Sequence, residues 1–227
     1  MSGSKLTPMS RWATFDCYGT LIDWNTGIGD VLEHLFGAER ARELLTRYHR
    51  LEPEVEAESY RSYAEVLSLT LERLAADAGL SIPEGDSGAL AHSLPDWPPF
   101  REVPPALAEL RRRGWSLAIL SNTDHALITE SQKALGVPID VIVTAEDVHS
   151  YKPAHGHWER FFELTTAEKA RHVHVAASLF HDAAPARELG LKTVWINRLG
   201  EVADPEPERE LPDLSTLPDT LDELVPA

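Results

Sequence analysis

The sequence predicts an α/β fold: a parallel sheet with helices on both faces, interrupted by an inserted all-helical segment. From Trp97 onward, short apolar runs alternate with helical patterns, as they do in a parallel sheet whose crossovers are helices. Residues 24–96 instead carry apolar side chains at helical spacing. The chain therefore divides into a discontinuous core domain, residues 1–23 and 97–227, and a helical domain, residues 24–96.

Five apolar runs predict the strands of the sheet, and polar or glycine-containing segments separate them from the helices. The strands are predicted at residues 11–15, 115–120, 139–143, 172–177 and 192–196. Helices are predicted from Pro104 to Gly114 and at residues 124–135 and 157–164, with a short one ending at Gly190. Residues 201–210 are rich in Glu, Asp and Pro and predict a solvated loop, and Leu221 and Leu224 predict a last helix.

The helical segment shows three successive patterns. Its first helix has four apolar side chains at helical spacing: Val31, Leu32, Leu35 and Phe36. A second helix is predicted at residues 38–48, with Pro53 expected to break or kink it. A third is predicted at residues 60–78. Four glutamates at alternate positions are expected to form a solvated face: Glu52, Glu54, Glu56 and Glu58.

The charge of the chain narrows the classes of partner. With 37 acidic and 21 basic residues, the 227-residue chain carries a formal net charge of -16. This balance disfavours a nucleic-acid or anionic-membrane surface, because either needs clustered Lys and Arg. No apolar run is long enough to span a bilayer, and the start lacks a signal-peptide pattern, so we expect a cytoplasmic protein. The single cysteine, Cys17, excludes an intrachain disulfide.

Polar residues follow four of the predicted strands or their loops. Asp16 comes first, then Ser121 with Asn122, then Lys152, and finally residues 178–182. Because the carboxyl ends of parallel strands meet at one edge of a sheet, we expect these side chains to converge on one site. Taken alone, Asp16 at a strand end before Gly19 could serve as a nucleophile, a metal ligand or a turn cap.

Four ordered motifs resemble those of the haloacid dehalogenase superfamily. They are Phe-Asp-x-Tyr-Gly-Thr-Leu at 15–21, Leu-Ser-Asn at 120–122, Tyr-Lys-Pro at 151–153 and the late Asp182. Tyr18 points to the L-2-haloacid dehalogenase branch. The resemblance implies a Rossmann-like core and a helical cap that closes over the site. It also implies a hydrolase without cofactor that displaces halide from a short 2-haloalkanoic acid through an aspartyl ester, giving a 2-hydroxy acid.

The resemblance assigns catalytic roles to five residues. Asp16 is expected to be the nucleophile, and Lys152 its counter-ion. Thr20 and Ser121 are expected to donate their hydroxyls to Asp16 or to the substrate. Asp182 is expected to activate the hydrolytic water. The partner implied is a small anionic substrate, and the family often forms homodimers.

Six further residues are expected to contact substrate: Tyr18, Arg47, Asn122, Trp158, Ser178 and His181. Arg47, within Leu-Thr-Arg at 45–47, resembles the cap arginine that receives the halide or the carboxylate, with Arg50 and Arg61 as alternatives. Trp158 stands where the family has a tyrosine. In the last motif, Ala177 and Leu179 replace a serine and an asparagine, and His181 replaces a tryptophan.

Two other functions compete with dehalogenation. The first is a Mg²⁺-dependent phosphatase in which Asp16 accepts phosphate and binds the metal together with Asp182. Tyr18 argues against it, because phosphatases of the superfamily carry an aspartate there as the acid for the leaving alkoxide. The second is a catalytically weak binding protein, which the changed residues Ala177 and Leu179 leave open.

Overall fold

The computed structural model describes residues 10–203 and 207–227, and its centre is a six-stranded parallel sheet. The strands are β1 (Arg11–Phe15), β2 (Trp115–Ser121), β3 (Val141–Thr144), β4 (His172–Ala176), β5 (Lys192–Ile196) and β6 (Glu210–Leu211). Their order across the sheet is β3-β2-β1-β4-β5-β6. The predicted α/β class is confirmed. Residues 201–203 and 207–209 lie in a loop, as predicted, and residues 204–206 fall outside the described residues. Only Glu210, the last residue of that segment, joins a strand, where it pairs with Trp195 at the sheet edge.

Helices cover both faces because successive side chains of a strand point to opposite sides. Ala13 and Phe15 of β1 lie in one apolar cluster and Trp12 in another. The helices that follow the insertion are α5 (Val103–Arg112), α6 (His125–Ala134), α7 (Ala145–Val148), α8 (Gly156–Thr165), α9 (Ala184–Glu188) and α10 (Leu217–Leu224). Helices α5 and α10 contribute to the first cluster, and α8 and α9 to the second.

Residues 24–96 form the helical insertion between β1 and α5. Its helices are α1 (Trp24–Phe36), α2 (Ala38–Glu58), α3 (Tyr63–Asp77) and α4 (Ala89–Ser93), followed by a 3₁₀ turn at Leu94–Asp96. Helix α2 continues through Pro53, which corrects the break expected there. No helix in the described part of the chain is both long and apolar enough to cross a membrane.

The two ends of the insertion lie side by side. Ile22 forms an antiparallel bridge with Pro99. The amide of Asp23 donates to the carbonyl of Pro98 at 2.8 Å, and the amide of Phe100 donates to the carbonyl of Leu21 at 3.0 Å. The chain therefore leaves and re-enters the sheet domain through one paired connection, next to the Asp16 loop.

Two contacts hold the insertion against the edge of the sheet. The Asp124 carboxylate accepts the amides of Tyr63 at 2.8 Å and Ala64 at 3.0 Å, and so satisfies the free N–H groups at the start of α3. The hydroxyl of Tyr151 donates to the carbonyl of Arg61 at 2.9 Å. Both contacts lie on the side of the insertion that faces Lys152.

Candidate active site

Asp16 follows β1, the strand at which the order of the sheet reverses. The chain runs from β1 outward to β3 and then returns to β4 on the other side of β1. Such a switch point leaves a crevice at the carboxyl ends of the strands, where ligands bind in open α/β sheets. Gly19 turns the chain with φ +88°, a conformation that L side chains rarely adopt. This turn brings Thr20 back towards Asp16.

The Asp16 carboxylate is held at both oxygens. Thr20 Oγ1 donates to its Oδ2 at 2.7 Å, and Lys152 Nζ donates to its Oδ1 at 2.9 Å. Thr20 Oγ1 also accepts the amide of Ala177 at 2.9 Å, which ties this turn to the end of β4. The Asp16 side chain is 12% exposed, so it remains the accessible member of the group.

Lys152 is fully enclosed and links two carboxylates. Besides Asp16, its ammonium donates to Asp182 Oδ1 at 2.6 Å and to the carbonyl of Leu120 at 2.9 Å. Burial alone lowers the pKa of a lysine, but the charges of Asp16 and Asp182 outweigh it and raise the pKa of Lys152 above its ordinary value. The ammonium is therefore charged at neutral pH.

Asp182 is kept ionised by its neighbours. Burial raises the pKa of its carboxyl, but the charge of Lys152 and a hydrogen bond from His174 Nε2 at 2.9 Å bring the pKa well below its usual range. Nδ1 of His174 lies 2.8 Å from Thr14 Oγ1. Asp182 Oδ2 is buried and has no hydrogen-bond partner within residues 10–203 and 207–227.

Ser121 and Asn122 reach the site from the end of β2. Ser121 Oγ is buried and finds no hydrogen-bond partner in the described residues, so its hydroxyl is available. Asn122 Oδ1 accepts the backbone amide of Lys152 at 2.7 Å, and Asn122 Nδ2 donates to the carbonyl of Lys152 at 3.2 Å. Asn122 therefore positions the Lys152 loop, a role that the sequence did not predict.

Tyr18 forms an aromatic wall between the sheet and the insertion. Its ring stacks on Tyr63 at 6.1 Å and meets Trp97 edge-on at 5.9 Å. Its hydroxyl lies 3.0 Å from Ser131 Oγ. Burial raises the pKa of this phenol well above its ordinary value, so it stays protonated.

Two of the expected contact residues have other neighbours in the structure. Trp158 has no exposed surface and packs edge-on against His174 at 5.2 Å. It therefore supports His174, and its complete burial corrects the substrate contact expected for it. The Arg47 guanidinium lies 4.0 Å from Glu43, one helical turn away on α2. Arg61, the alternative cap arginine, lies 3.3 Å from Glu58.

Ser178 and His181 form a small unit above the end of β4. Ser178 Oγ accepts the backbone amide of His181 at 3.0 Å, and it lies 3.2 Å from Nδ1 of the same histidine. The other ring nitrogen, Nε2, lies 3.6 Å from Glu56 Oε2. Burial lowers the pKa of His181, so the ring is mainly neutral at neutral pH.

The prediction that four glutamates of α2 form a solvated face is wrong for two of them. Glu54 and Glu58 are exposed. Glu52 is 5% exposed and accepts the hydroxyls of Tyr48 and Tyr63, while the Glu56 side chain is 7% exposed and lies 3.4 Å from Asn122 Nδ2.

Helical spacing in the sequence could have distinguished the enclosed glutamates of α2 from the exposed ones. Residues four apart share a face of a helix, so Leu44, Tyr48, Glu52 and Glu56 form one stripe. Leu44 and Tyr48 are both buried. The stripe turns Glu56 towards the sheet domain, where it joins the candidate site.

Comparison with known proteins agrees with this geometry. Residues 11–190 match the model of the haloacid dehalogenase-like hydrolase family. The chain is 34% identical over 198 residues to an (S)-2-haloacid dehalogenase of Pseudomonas sp. (strain YL), covering 83% of each chain. It is 28% identical to an (S)-2-haloacid dehalogenase of Pseudomonas putida, covering 91% of this chain and 96% of that one. In structure it resembles the L-2-haloacid dehalogenase of Xanthobacter autotrophicus, with a TM-score of 0.82 at 20% identity, over 94% of this chain and 98% of that one.

Proposed function

Because the chain belongs to the haloacid dehalogenase-like hydrolase family, we propose that it displaces halide from a short 2-haloalkanoic acid and forms a 2-hydroxy acid. The observation that carries this proposal is the placement of Asp16, which accepts from Thr20 at one oxygen and from Lys152 at the other. Two donors hold the carboxylate in one orientation at a switch point of the sheet, as a nucleophile requires. The names of the relatives at 34% and 28% identity support the choice of substrate.

In the first step an Asp16 oxygen attacks the carbon that bears the halogen. The carbon–halogen bond breaks as the new carbon–oxygen bond forms, and the halide leaves with the bonding electrons. An ester joins Asp16 to the substrate, and no proton is needed for this leaving group. In this proposal Ser121 Oγ donates to the substrate carboxylate, and its lack of a partner in the described part of the chain supports that role.

In the second step water attacks the carbonyl carbon of the Asp16 ester. The bond between this carbon and the substrate oxygen breaks, which restores the Asp16 carboxylate. One proton of the water ends on the oxygen of the released 2-hydroxy acid, and the other leaves the site through a base. We assign the role of this base to Asp182. Two observations support the assignment: Asp182 is ionised, and its Oδ2 is buried without a partner among the described residues. Ala177 and Leu179 offer no side-chain hydroxyl or amide, so Ser178 and His181 are the remaining polar groups of this segment.

The finer predictions belong to the same proposal. The helical insertion acts as a cap whose single paired connection lets it move over Asp16. Arg47 receives the halide or the carboxylate when the cap closes. The protein acts in the cytoplasm, as a homodimer, on a small anionic substrate. No metal or organic cofactor takes part.

A Mg²⁺-dependent phosphatase is the alternative that one observation favours: Asp182 Oδ2 is a buried carboxylate oxygen without a partner in the described residues. The other contacts fit Mg²⁺ poorly. The ammonium of Lys152 already lies within hydrogen-bond distance of both Asp16 and Asp182, where a shared metal would bind. Tyr18 is a protonated phenol tied to Ser131, in place of the acid that a phosphatase needs.

The test measures halide release from chloroacetate, fluoroacetate and 2-chloropropionate without added metal, and phosphate release from a generic ester with and without Mg²⁺. We expect halide release by the wild type and by Asp77→Asn, an exposed control on α3, and its loss in Asp16→Asn. Phosphate release that needs Mg²⁺ would instead support the phosphatase. If neither halide nor phosphate is released in any assay, both enzymatic functions are contradicted and the binding protein remains.

A further inference from the structure

Glu56 brings a carboxyl group from the insertion into a site that must accept an acid. It is carried by α2, yet both of its oxygens lie 3.4 Å from Asn122 Nδ2 and one lies 3.6 Å from His181 Nε2, two side chains of the sheet domain. Its side chain is 7% exposed. Asn122 in turn holds the backbone of Lys152. Glu56 therefore lies between the insertion and the machinery around Asp16.

The charges around Glu56 leave the site short of positive charge. From its own helix it faces Glu52, and from the sheet domain it faces Asp16, Lys152 and His181. The phenols of Tyr48, Tyr63 and Tyr151 also lie within electrostatic reach. The one ammonium in this group, that of Lys152, already pairs with Asp16 and Asp182. An ionised Glu56 thus adds a negative charge that none of these neighbours balances.

We propose that Glu56 is a specificity-determining residue of this site. Ionised, it opposes substrates whose non-reacting end is a carboxylate and accepts a hydrogen bond from those that carry a neutral amide there. Protonated, it donates a hydrogen bond to the carboxylate and admits the acid. The inference rests on the proposed function for the class of substrate, a short 2-halogenated or 2-hydroxylated carbonyl compound.

The neighbours of Glu56 determine the direction in which the pKa of its carboxyl is shifted. Burial raises the pKa of its carboxyl well above the ordinary value, Glu52 adds to this effect, and Lys152 and Asn122 oppose it. Burial also lowers the pKa of His181. Rising pH ionises Glu56 and so makes the site more negative. The acid should bind less tightly as pH rises, and the amide should not.

The test compares binding of 2-hydroxypropionate and 2-hydroxypropionamide by calorimetry, from about pH 5 to about pH 9. In the wild type we expect the affinity for the acid to fall by about tenfold or more across this range, while that for the amide changes little. In Glu56→Gln the acid should show a clearly smaller change than in the wild type, with the ionisation of Glu52 accounting for what remains. Glu54→Gln, an exposed neighbour on α2, should behave as wild type.

Three results would overturn the inference: an undiminished pH dependence in Glu56→Gln, an equal pH dependence for acid and amide in the wild type, or no binding of either compound. Halide release, measured in the same preparations, separates this failure from failure of the proposed function. If the proposed function is wrong, no halide is released from 2-chloropropionate, although the acid and the amide still differ in how their binding depends on pH. If only the inference is wrong, halide is released without the contrast between acid and amide.

Discussion

The ammonium of Lys152 lies 2.9 Å from Oδ1 of Asp16, although 136 positions separate the two residues in the chain. Their side chains are 1% and 12% exposed, so water screens this pair weakly. The same ammonium binds Asp182 at 2.6 Å. One cation therefore balances two carboxylates.

Replacing Lys152 by methionine should be strongly destabilising. The change leaves Asp16 and Asp182 enclosed without a counter-ion, and loss of one partner from a buried ion pair typically costs about 3–5 kcal/mol. Urea unfolding at neutral pH measures the loss. Lys133→Met, at an exposed lysine of α6 that pairs with Glu130, serves as the control. Adding Asp16→Asn to Lys152→Met should recover part of the stability. A Lys152→Met midpoint equal to that of the wild type would contradict the importance of this charge.

Glu52 should make the stability of the protein depend on pH. Burial raises the pKa of its carboxyl from 4.5 to about 7, although the hydroxyls of Tyr63 and Tyr48 oppose the shift. The folded protein then holds a proton that the unfolded chain has lost, so the free energy of unfolding falls as pH rises between these values and is level above them. The loss is on the order of 3 kcal/mol.

Glu52→Gln keeps an acceptor for both tyrosine hydroxyls and removes the titration. Its free energy of unfolding, measured with urea from about pH 4 to about pH 8, should decline less steeply than that of the wild type, and the part that remains comes from Glu56, whose pKa burial also raises. Glu54→Gln, at the exposed neighbour, should retain that decline. Parallel curves for Glu52→Gln and the wild type would show that Glu52 does not titrate in this range.

Replacing each of two glycines of α1 by alanine should change the stability of the protein in opposite directions. A Cβ at Gly27 would lie 2.4 Å from the ring of Trp97, whereas one at Gly29 would meet nothing within 4 Å. Overpacking of this kind typically costs about 1–3 kcal/mol, so Gly27→Ala should lower the melting temperature. Gly29→Ala should raise stability by about 0.5–1 kcal/mol, because alanine favours the helix more than glycine does. The same sign of change in both variants would contradict the close contact with Trp97.

Much of the architecture could be predicted because strands and helices have different apolar periods. The strand pattern at 11–15 and the helical pattern that follows Asp23 are local features, and the structure contains both elements at those positions. The convergence of Asp16, Lys152 and Asp182 followed from a general property of parallel sheets, with the order of motifs adding the family. Pro53 misled the prediction, since the packed face of α2 continues past it.

The periodicity of the sequence decided the fold class, and the order of its motifs decided the set of polar residues that meet at the sheet edge. Both depend on neighbours along the chain or on a topology shared by parallel sheets. Only the tertiary structure decided which glutamates of α2 are enclosed, that Trp158 supports His174, and that Asn122 holds the Lys152 loop. These outcomes depend on how the insertion seats against the sheet, and that fit arises from side chains far apart in the sequence. The site therefore combines Asp16, readable from its motif, with a carboxyl of α2, that of Glu56, whose place in the site becomes visible only when α2 is packed against the sheet.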